Sequence, residues 1–418
     1  MARRMIRILA SLGPLLISVG ILLAGGGLQN TLVSVRGGIE GFALEALGFV
    51  MAGYYAGFVL GCMMAANMVR RVGHIRVFAA LAAIAAAASL IYAIEPGTVL
   101  WFFLRFVIGF CFAGLYTIIE SWINERSTNE NRGQVLSIYR MVDFGAVTIG
   151  QYLLLLADPG GFTLFSIVAI LIALSLVPVA LTPIESPSPP RDAKLDLGKL
   201  WRTSPLAVAA CFAVGLTNAA FWSIGPVFVQ QLGYGPVMVA SFMSTAIIAG
   251  AATQWPIGYL SDAIDRRKVL LIVAAGAALA GLGLLFFGGL SQSLLLTGGA
   301  AYGVFGLALF GLAVTHAADH ADVEDFVMVS GGLLLVYGLG SVVGPLVSPL
   351  AMQWFGPLAL WGYTAVIHMA LVAFGLARMI ANKPVPASQQ EDFVPFTTTS
   401  PAFFEIAEPT ETDAPQAG

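Results

Sequence analysis

The chain has 418 residues, of which 58% are hydrophobic and 10% are charged, and its formal net charge is -3. Soluble proteins carry about 25% charged residues, so this composition excludes the two or three soluble domains that the length alone would suggest. The three cysteines, Cys62, Cys111 and Cys211, lie in apolar sequence without close spacing, so we expect neither a disulfide framework nor a metal site from them.

Apolar stretches follow one another along almost the whole chain, and each has about the twenty residues that a helix needs to cross a bilayer. They cover residues 8–33, 46–66, 77–94, 99–121, 134–156, 162–182, 205–230, 238–259, 269–290, 294–315, 326–350 and 358–380. The first stretch is too long for a signal peptide and leads directly into further stretches, so we interpret it as an uncleaved helix. The sequence predicts an all-α integral membrane protein with twelve transmembrane helices.

The basic residues are unequally divided between the two sides of the membrane that these stretches define. When the stretches alternate across a bilayer, all Lys and Arg residues except Arg36, Arg105 and Arg140 fall in loops or termini on one side. Cytoplasmic loops hold the positive charge of membrane proteins. We therefore expect both termini in the cytoplasm and an even number of helices.

Four regions make up the chain. We predict an N-terminal six-helix bundle over 1–182, a cytoplasmic linker over 183–204, a C-terminal six-helix bundle over 205–382 and a disordered acidic tail over 383–418. Prolines begin the linker, and the Leu residues and Trp201 at its end suit a short helix on the membrane surface. The tail has acidic residues and no basic residue after Lys383, as solvated chain does, although its phenylalanines could instead dock a partner.

A loop motif stands between predicted helices 8 and 9, where residues 258–267 read GYLSDAIDRR. It resembles the pattern G-x-L-x-D-x-x-G/D-R-R/K of the major facilitator superfamily. Residues 67–76, NMVRRVGHIR, resemble the second copy that this superfamily has between helices 2 and 3, with Arg70 in place of the acidic residue. The resemblance implies a cytoplasmic gate formed by Arg71, Gly73, Arg76, Gly258, Asp262, Asp265, Arg266 and Arg267.

Helix 4 supplies a second motif, because residues 105–113, RFVIGFCFA, are similar to the superfamily pattern R-x-x-x-G-x-x-x-A. ESWINER at 120–126 resembles, more narrowly, the YcaD-like branch of bacterial transporters. The resemblance implies two bundles related by pseudo-twofold symmetry, alternating access and a bacterial inner-membrane location. It also implies a small-molecule substrate with protons, the lipid bilayer as surroundings, a monomer, and no nucleic acid partner or cofactor. The G-x-x-x-G-P antiporter motif is absent from helix 5 and stands in helix 11, which weakens a drug-efflux interpretation.

Charged residues inside the predicted spans are candidates for proton coupling, since ionisable groups in a membrane are costly and commonly functional. Asp143 lies roughly 13 Å into helix 5 at the rise of an α-helix, and Arg140 lies on the same face. With Arg105 and Glu120 on helix 4 they form the predicted buried-charge set. A static ion pair between helices 4 and 5 is the alternative. Glu120 lies near the cytoplasmic end of helix 4, so we expect it to contact Arg132 or Arg140.

Polar and aromatic residues near the middle of the predicted helices could line a substrate cavity, because carriers of this type bind their solutes near the midplane. These residues are Gln29, Asn30, Tyr54, Tyr55, Asn218 and Trp222. Each alone is also compatible with helix packing. His368 in helix 12 is predicted to be a hydrogen-bonded packing residue.

His316 and His320 have the helical spacing of metal ligands, with carboxylates nearby. This would suit an integral-membrane metal-dependent enzyme. We favour an electrostatic role, in which the acidic residues of 319–325 complement the basic inner loops, and expect no metal and no enzyme activity. No nucleotide-binding glycine loop is present in the sequence. The leading hypothesis is a secondary active carrier, with a membrane channel or transport-dead sensor as a further alternative.

Overall fold

A computed structural model of the chain describes residues 2–127, 131–181, 196–322, 325–381, 390, 393–394 and 398–401, and gives only the backbone of residues 2–11, 126 and 132. The linker residues 183–195 and most of the acidic tail therefore lie outside the described residues. In the described part of the chain the secondary structure is helical throughout.

The helices are numbered in chain order. They are α1 (Ala2–Ile39), α2 (Leu44–Val72), α3 (His74–Ile94), α4 (Thr98–Arg126), α5 (Arg132–Leu153), α6 (Thr163–Leu181), α7 (Leu197–Thr203), α8 (Pro205–Gln231), α9 (Pro236–Ala263), α10 (Arg266–Phe287), α11 (Gln292–Gly306), α12 (Leu309–Ala318), α13 (Phe326–Phe355) and α14 (Ala359–Ala381). The short 3₁₀ turn Leu154–Leu156 follows α5.

Eleven helical segments of the described chain are long and apolar enough to cross a membrane, with α11 and α12 together forming one of them. The twelfth is α5, which has 22 residues but carries Arg140 and Asp143 and is less apolar. Each of these segments overlaps one predicted stretch. The all-α fold with twelve membrane helices is thereby confirmed, with helix 10 broken near Leu307.

The N-terminal unit contains α1 to α6. Its tightest contact joins α2 to α4, where Gly53, Gly57 and Gly61 form a smooth face. A Cβ atom at Gly53 or Gly61 would lie 2.6 Å from the backbone oxygen of Phe102 or Phe110. Small residues allow membrane helices to approach this closely. The glycine stripe therefore packs helices within one unit.

The C-terminal unit contains α7 to α14 and repeats the same pairing of helices. In the N-terminal unit α1 packs on α5, α2 on α4 and α3 on α6; in the C-terminal unit α8 packs on α13, α9 on α11 and α10 on α14. Glycines again mark the close contacts, since a Cβ atom at Gly250 of α9 would lie 2.8 Å from the backbone oxygen of Gly303 of α11. Equivalent helices thus make equivalent contacts in the two units.

The short helix α7 forms at the end of the linker, as predicted. The side chain of Asp196 caps it by accepting a hydrogen bond from the backbone N–H of Lys199 at 2.9 Å. Leu200 is buried in the C-terminal unit against Gly332, while Trp201 is half exposed. About two turns of amphipathic helix are sufficient for this arrangement.

The α2–α4 contact gives a direct test of the packing. We expect Gly57→Ala to lower the free energy of unfolding by about 1–3 kcal/mol, because the new methyl group meets the backbone of Phe106. Gly145→Ala on α5 is the matched control, because its Cβ atom would have no neighbour within 4 Å. Thermal unfolding in detergent should show a lower melting temperature for Gly57→Ala only. Equal melting temperatures for the two variants would contradict this packing.

Candidate functional site

The two charged residues in the middle of α5 neutralise each other. Arg140 Nη1 lies 2.5 Å from Asp143 Oδ2, and the two side chains are 13% and 17% exposed. The guanidinium group also lies over the ring of Phe144, with 4.4 Å between its carbon and the ring centroid. This ion pair has the geometry predicted from the spacing of the two residues.

Arg105 of α4 is placed differently, because it is 1% exposed and faces neutral groups. It donates to the side-chain oxygen of Asn30 on α1, and its Nη2 lies 3.1 Å from the sulfur of Met51 on α2. The ring of Tyr54 lies 5.2 Å away. Among the described residues, no carboxylate pairs with Arg105, and its Nε has no hydrogen-bond partner. A buried charge without a counter-charge is costly, so the neutral groups around Arg105 offset only part of this cost.

Glu120 lies near the C-terminal end of α4 and is fully buried. Tyr139 of α5 donates its hydroxyl hydrogen to Glu120 Oε1 at 2.8 Å. Thr399 and Ser400 of the C-terminal tail donate to the two oxygens of the same carboxyl group. The expected contact with Arg140 is not made, because Arg140 is oriented towards Asp143 instead. The side chain of Arg132 lies outside the described residues.

Part of the predicted cavity lining comes together in the N-terminal unit. Asn30 and Tyr54 contact Arg105, and the rings of Tyr54 and Tyr55 meet edge to face with 5.4 Å between centroids. Gln29 does not belong to this group. It is 1% exposed and donates to the hydroxyl of Ser89 on α3 at 2.8 Å, which is a contact between two helices.

Residues Asn218 and Trp222 belong to α8 in the C-terminal unit. Asn218 is buried, and its side-chain oxygen has no hydrogen-bond partner in the described part of the chain. Trp222 packs edge to face on Phe221. Phe221 in turn lies beside Tyr302 and Trp361, two buried aromatic residues that the sequence analysis missed because nothing distinguishes them from other core residues.

His368 is a packing residue, as predicted. It is fully buried, its Nδ1 lies 2.8 Å from the backbone oxygen of Thr364, and its Nε2 lies 3.5 Å from the hydroxyl of Thr217.

The predicted gate motif of the C-terminal unit forms a network of ion pairs. Arg266 is 1% exposed and binds both Asp262, at 2.7 Å, and Asp319. Asp265 caps α10 and binds Arg267 at 2.9 Å. Burial raises the pKa of the Asp265 carboxyl group, but the hydrogen bond and charge of Arg267 outweigh this effect and hold the pKa below its usual value. Gly258 lies against the ring of Phe393 from the tail.

The copy in the N-terminal unit makes no such network among the described residues. Arg71 and Arg76 are exposed, and Gly73 adopts a φ of 87° at the turn between α2 and α3. Arg70, which stands where the motif has an acidic residue, donates to the side chain of Asn67 at 2.5 Å. Because Arg70 replaces the acidic residue, the N-terminal copy has no counterpart of Asp262, which binds Arg266 in the C-terminal copy.

The segment around His316 and His320 contributes acidic residues to ion pairs. The imidazole rings lie 4.7 Å apart, but the described residues contain no group of three or more potential metal ligands. Asp319 binds Arg266, and Asp325 binds Lys199 of α7, whose pKa the hydrogen bond to Asp325 raises. Within the C-terminal unit, acidic residues of this link thus pair with basic residues of α7 and α10.

Comparisons with known proteins agree with this fold. The sequence profile of the Major Facilitator Superfamily matches residues 15–297 and 237–407. An uncharacterized MFS-type transporter of Yersinia pestis (strain Pestoides F) is 25% identical over 357 residues, which cover 85% of this chain and 91% of the relative. The uncharacterized MFS-type transporter YcaD of Escherichia fergusonii is 25% identical over 329 residues, covering 78% of this chain and 85% of the relative.

Solved structures share the architecture. A mutant of the nucleoside transporter NupG has a TM-score of 0.75 at 16% identity, covering 88% of this chain and 99% of that one. A bacterial homologue of the human lysosomal transporter Spinster has a TM-score of 0.66 at 16% identity, covering 96% and 98%. At these sequence identities the similarity shows the fold alone. The sequence match spans most of the chain, so the protein belongs to the Major Facilitator Superfamily and is a multi-pass membrane transporter rather than an enzyme.

Proposed function

We propose that this protein is a secondary active transporter that moves a small solute by alternating access and couples the movement to protons. The observation that carries the proposal is the Arg140–Asp143 ion pair in the middle of a membrane helix. Placing a charge in the hydrocarbon region costs about 3 kcal/mol on insertion scales. The pair lowers this cost, and it can also be opened by one proton.

Protonation of Asp143 would remove its negative charge and release Arg140 from the ion pair. The freed guanidinium can then hold an anionic group or exchange its partner, which changes the relative stability of two helix arrangements. A ligand or proton shifts such an equilibrium only through a difference in free energy between the two states. The breaking of an ion pair supplies that difference.

Arg105 would contribute to binding of the solute, together with Asn30, Tyr54 and Tyr55 on neighbouring helices. Its charge is unmatched by any described carboxylate, which favours a solute with a carboxylate or another anionic group. We also propose Asn218 and Trp222 as solute-binding residues of the C-terminal unit, where the side-chain oxygen of Asn218 has no hydrogen-bond partner among the described residues.

A protein with a similar fold is a proton symporter. The fucose:proton symporter FucP of Escherichia coli matches with a TM-score of 0.57 at 14% identity, covering 89% of this chain and 99% of that one. Fucose is not proposed as the solute of this protein. We propose a bacterial cytoplasmic membrane as the location and a monomer as the working unit, with no nucleic acid partner.

The sorting of the basic residues supports a topology with both termini in the cytoplasm. We expect alkaline phosphatase fused after Lys383 to be inactive and a green fluorescent protein fused there to fluoresce. The same phosphatase inserted at Gly160, between α5 and α6, should be active. Active phosphatase after Lys383 would reverse the topology.

Coupling through Asp143 is tested in proteoliposomes. A thermal-shift screen of purified protein against small carboxylates and zwitterions at two pH values supplies the solute, because binding raises the melting temperature. Uptake of that solute should rise with an inward proton gradient in the unmodified protein. In Asp143→Asn we expect gradient-driven accumulation to fall about tenfold or more, the effect of roughly 1.4 kcal/mol, while solute exchange at equal pH persists.

Asp158→Asn in the exposed turn before α6 is the matched control, because this carboxylate accepts only from the backbone of Gly160. Its accumulation should equal that of the unmodified protein. Unchanged accumulation in Asp143→Asn would overturn the coupling role of Asp143.

Arg105→Gln tests the binding role. Loss of a buried charged hydrogen-bond partner costs about 2 kcal/mol or more, so the affinity for the solute should fall about thirtyfold or more. The melting temperature without solute should stay the same or rise, because the unmatched buried charge is removed. Arg76→Gln, at an exposed position on α3, should leave both quantities unchanged. A normal affinity in Arg105→Gln would remove Arg105 from the solute site.

A further inference from the structure

Two hydroxyl groups of the C-terminal tail form hydrogen bonds with Glu120, although they are far from Glu120 in the sequence. Thr399 donates to Oε1 and Ser400 to Oε2 of the carboxyl group, across 279 and 280 residues. Ser400 and Glu120 are both 0% exposed. Thr399 and Ser400 therefore contact α4 of the N-terminal unit.

The surroundings of Glu120 contain no positive charge among the described residues. The hydroxyl of Tyr139 is its third hydrogen-bond donor. The titratable groups that face it are Cys62 on α2, Tyr116 on α4, and Tyr139 and Asp143 on α5, none of which is a cation. A buried carboxyl group without a counter-charge depends on hydrogen-bond donors. Two of its three donors come from the tail, so departure of the tail leaves the carboxyl group in need of water.

The tail has a second, separate attachment, on the C-terminal unit. The backbone N–H of Phe393 donates to Asp262 Oδ1 at 2.9 Å, and the Phe393 ring covers Gly258 so closely that a Cβ atom there would lie 2.8 Å from Cε1 of the ring. Thr398 binds the hydroxyl of Tyr337. These contacts involve the C-terminal unit alone and are independent of the hydrogen bonds to Glu120.

We propose that the Thr399–Ser400 segment is an intramolecular ligand of Glu120 that shields its carboxyl group from water. The site is formed by Glu120 and Tyr139 at the ends of α4 and α5, and its occupant is the chain's own tail. On the topology proposed above this end faces the cytoplasm, so Glu120 exchanges protons with the cytoplasm only when the tail has left. The solute and the role of Asp143 do not enter this inference.

Hydrogen exchange of the full-length protein in detergent, followed by mass spectrometry, tests the docking. Peptides covering residues 396–404 should exchange at least about tenfold more slowly in the unmodified protein than in Glu120→Leu, since this variant lacks the acceptor of both hydroxyl groups. Glu125→Leu is the matched control, because Glu125 lies on the same helix and is exposed. Equal exchange of these peptides in the unmodified protein and in Glu120→Leu, or equal effects of the two variants, would overturn the proposal.

Shielding of the carboxyl group is tested from the side of the tail, where substitution leaves the helix bundle intact. A water-soluble carbodiimide with glycine amide should modify Glu125 but not Glu120 in the unmodified protein. In Thr399→Ala/Ser400→Ala, modification of Glu120 should rise about fivefold or more, the effect of roughly 1 kcal/mol, with Glu125 in the same peptides as internal standard. Ser137→Ala, which removes an exposed hydroxyl of α5, should change nothing. Rapid modification of Glu120 in the unmodified protein would overturn the proposal, and neither outcome depends on transport.

Discussion

A charge inside hydrocarbon must find its stabilising partners within the protein, and this constraint accounts for the arrangement of the polar residues in this transporter. Three different solutions occur in the N-terminal unit. Asp143 has a cation as its partner, Arg105 has an amide, a sulfur atom and an aromatic ring, and Glu120 has three hydroxyl groups. The Arg140–Asp143 pair is neutral overall. Arg105 and Glu120, in contrast, keep an unmatched charge or require a proton or a ligand. The unit therefore stabilises three ionisable side chains in its interior in three different ways.

Close helix packing makes such arrangements possible. The glycines of α2 and α8 bring the backbones of α4 and α13 near enough that side chains adjacent to the contact are held in fixed positions. Tyr54, which follows Gly53 on α2, thereby reaches Arg105 on α4. The same pattern of helix pairs recurs in the C-terminal unit, yet there the buried interior is filled by aromatic residues such as Phe221 and Trp361. The duplicated scaffold thus has Arg105 and the Arg140–Asp143 pair in the N-terminal unit and the contact between Phe221 and Trp361 in the C-terminal unit.

The features that could be predicted from the sequence are those that depend on local residue spacing or on average apolarity. The twelve membrane helices follow from apolar length, and the Arg140–Asp143 pair follows from two residues one turn apart on one helix. The contact of Gln29 with Ser89 could not be predicted, because the rotation of α1 about its axis is set by packing against α5 and α6, which a stretch of uniformly apolar sequence does not reveal. The tail contacts were not predictable either. They join Ser400 to a residue 280 positions away, and the polar composition of the tail is the same whether it is solvated or bound.

The two copies of the loop motif have diverged in a way that these forces explain. In the C-terminal copy, Asp262 and Asp319 hold Arg266, which is almost fully buried and could not remain there without both acids. The N-terminal copy has Arg70 in place of the acid, so Arg71 and Arg76 stay in solvent, where an arginine needs no partner. Gly258 also has a second use, because the space above its missing side chain is filled by Phe393. A residue that the motif retains for helix packing here also receives the tail, and a larger side chain at this position would displace the Phe393 ring.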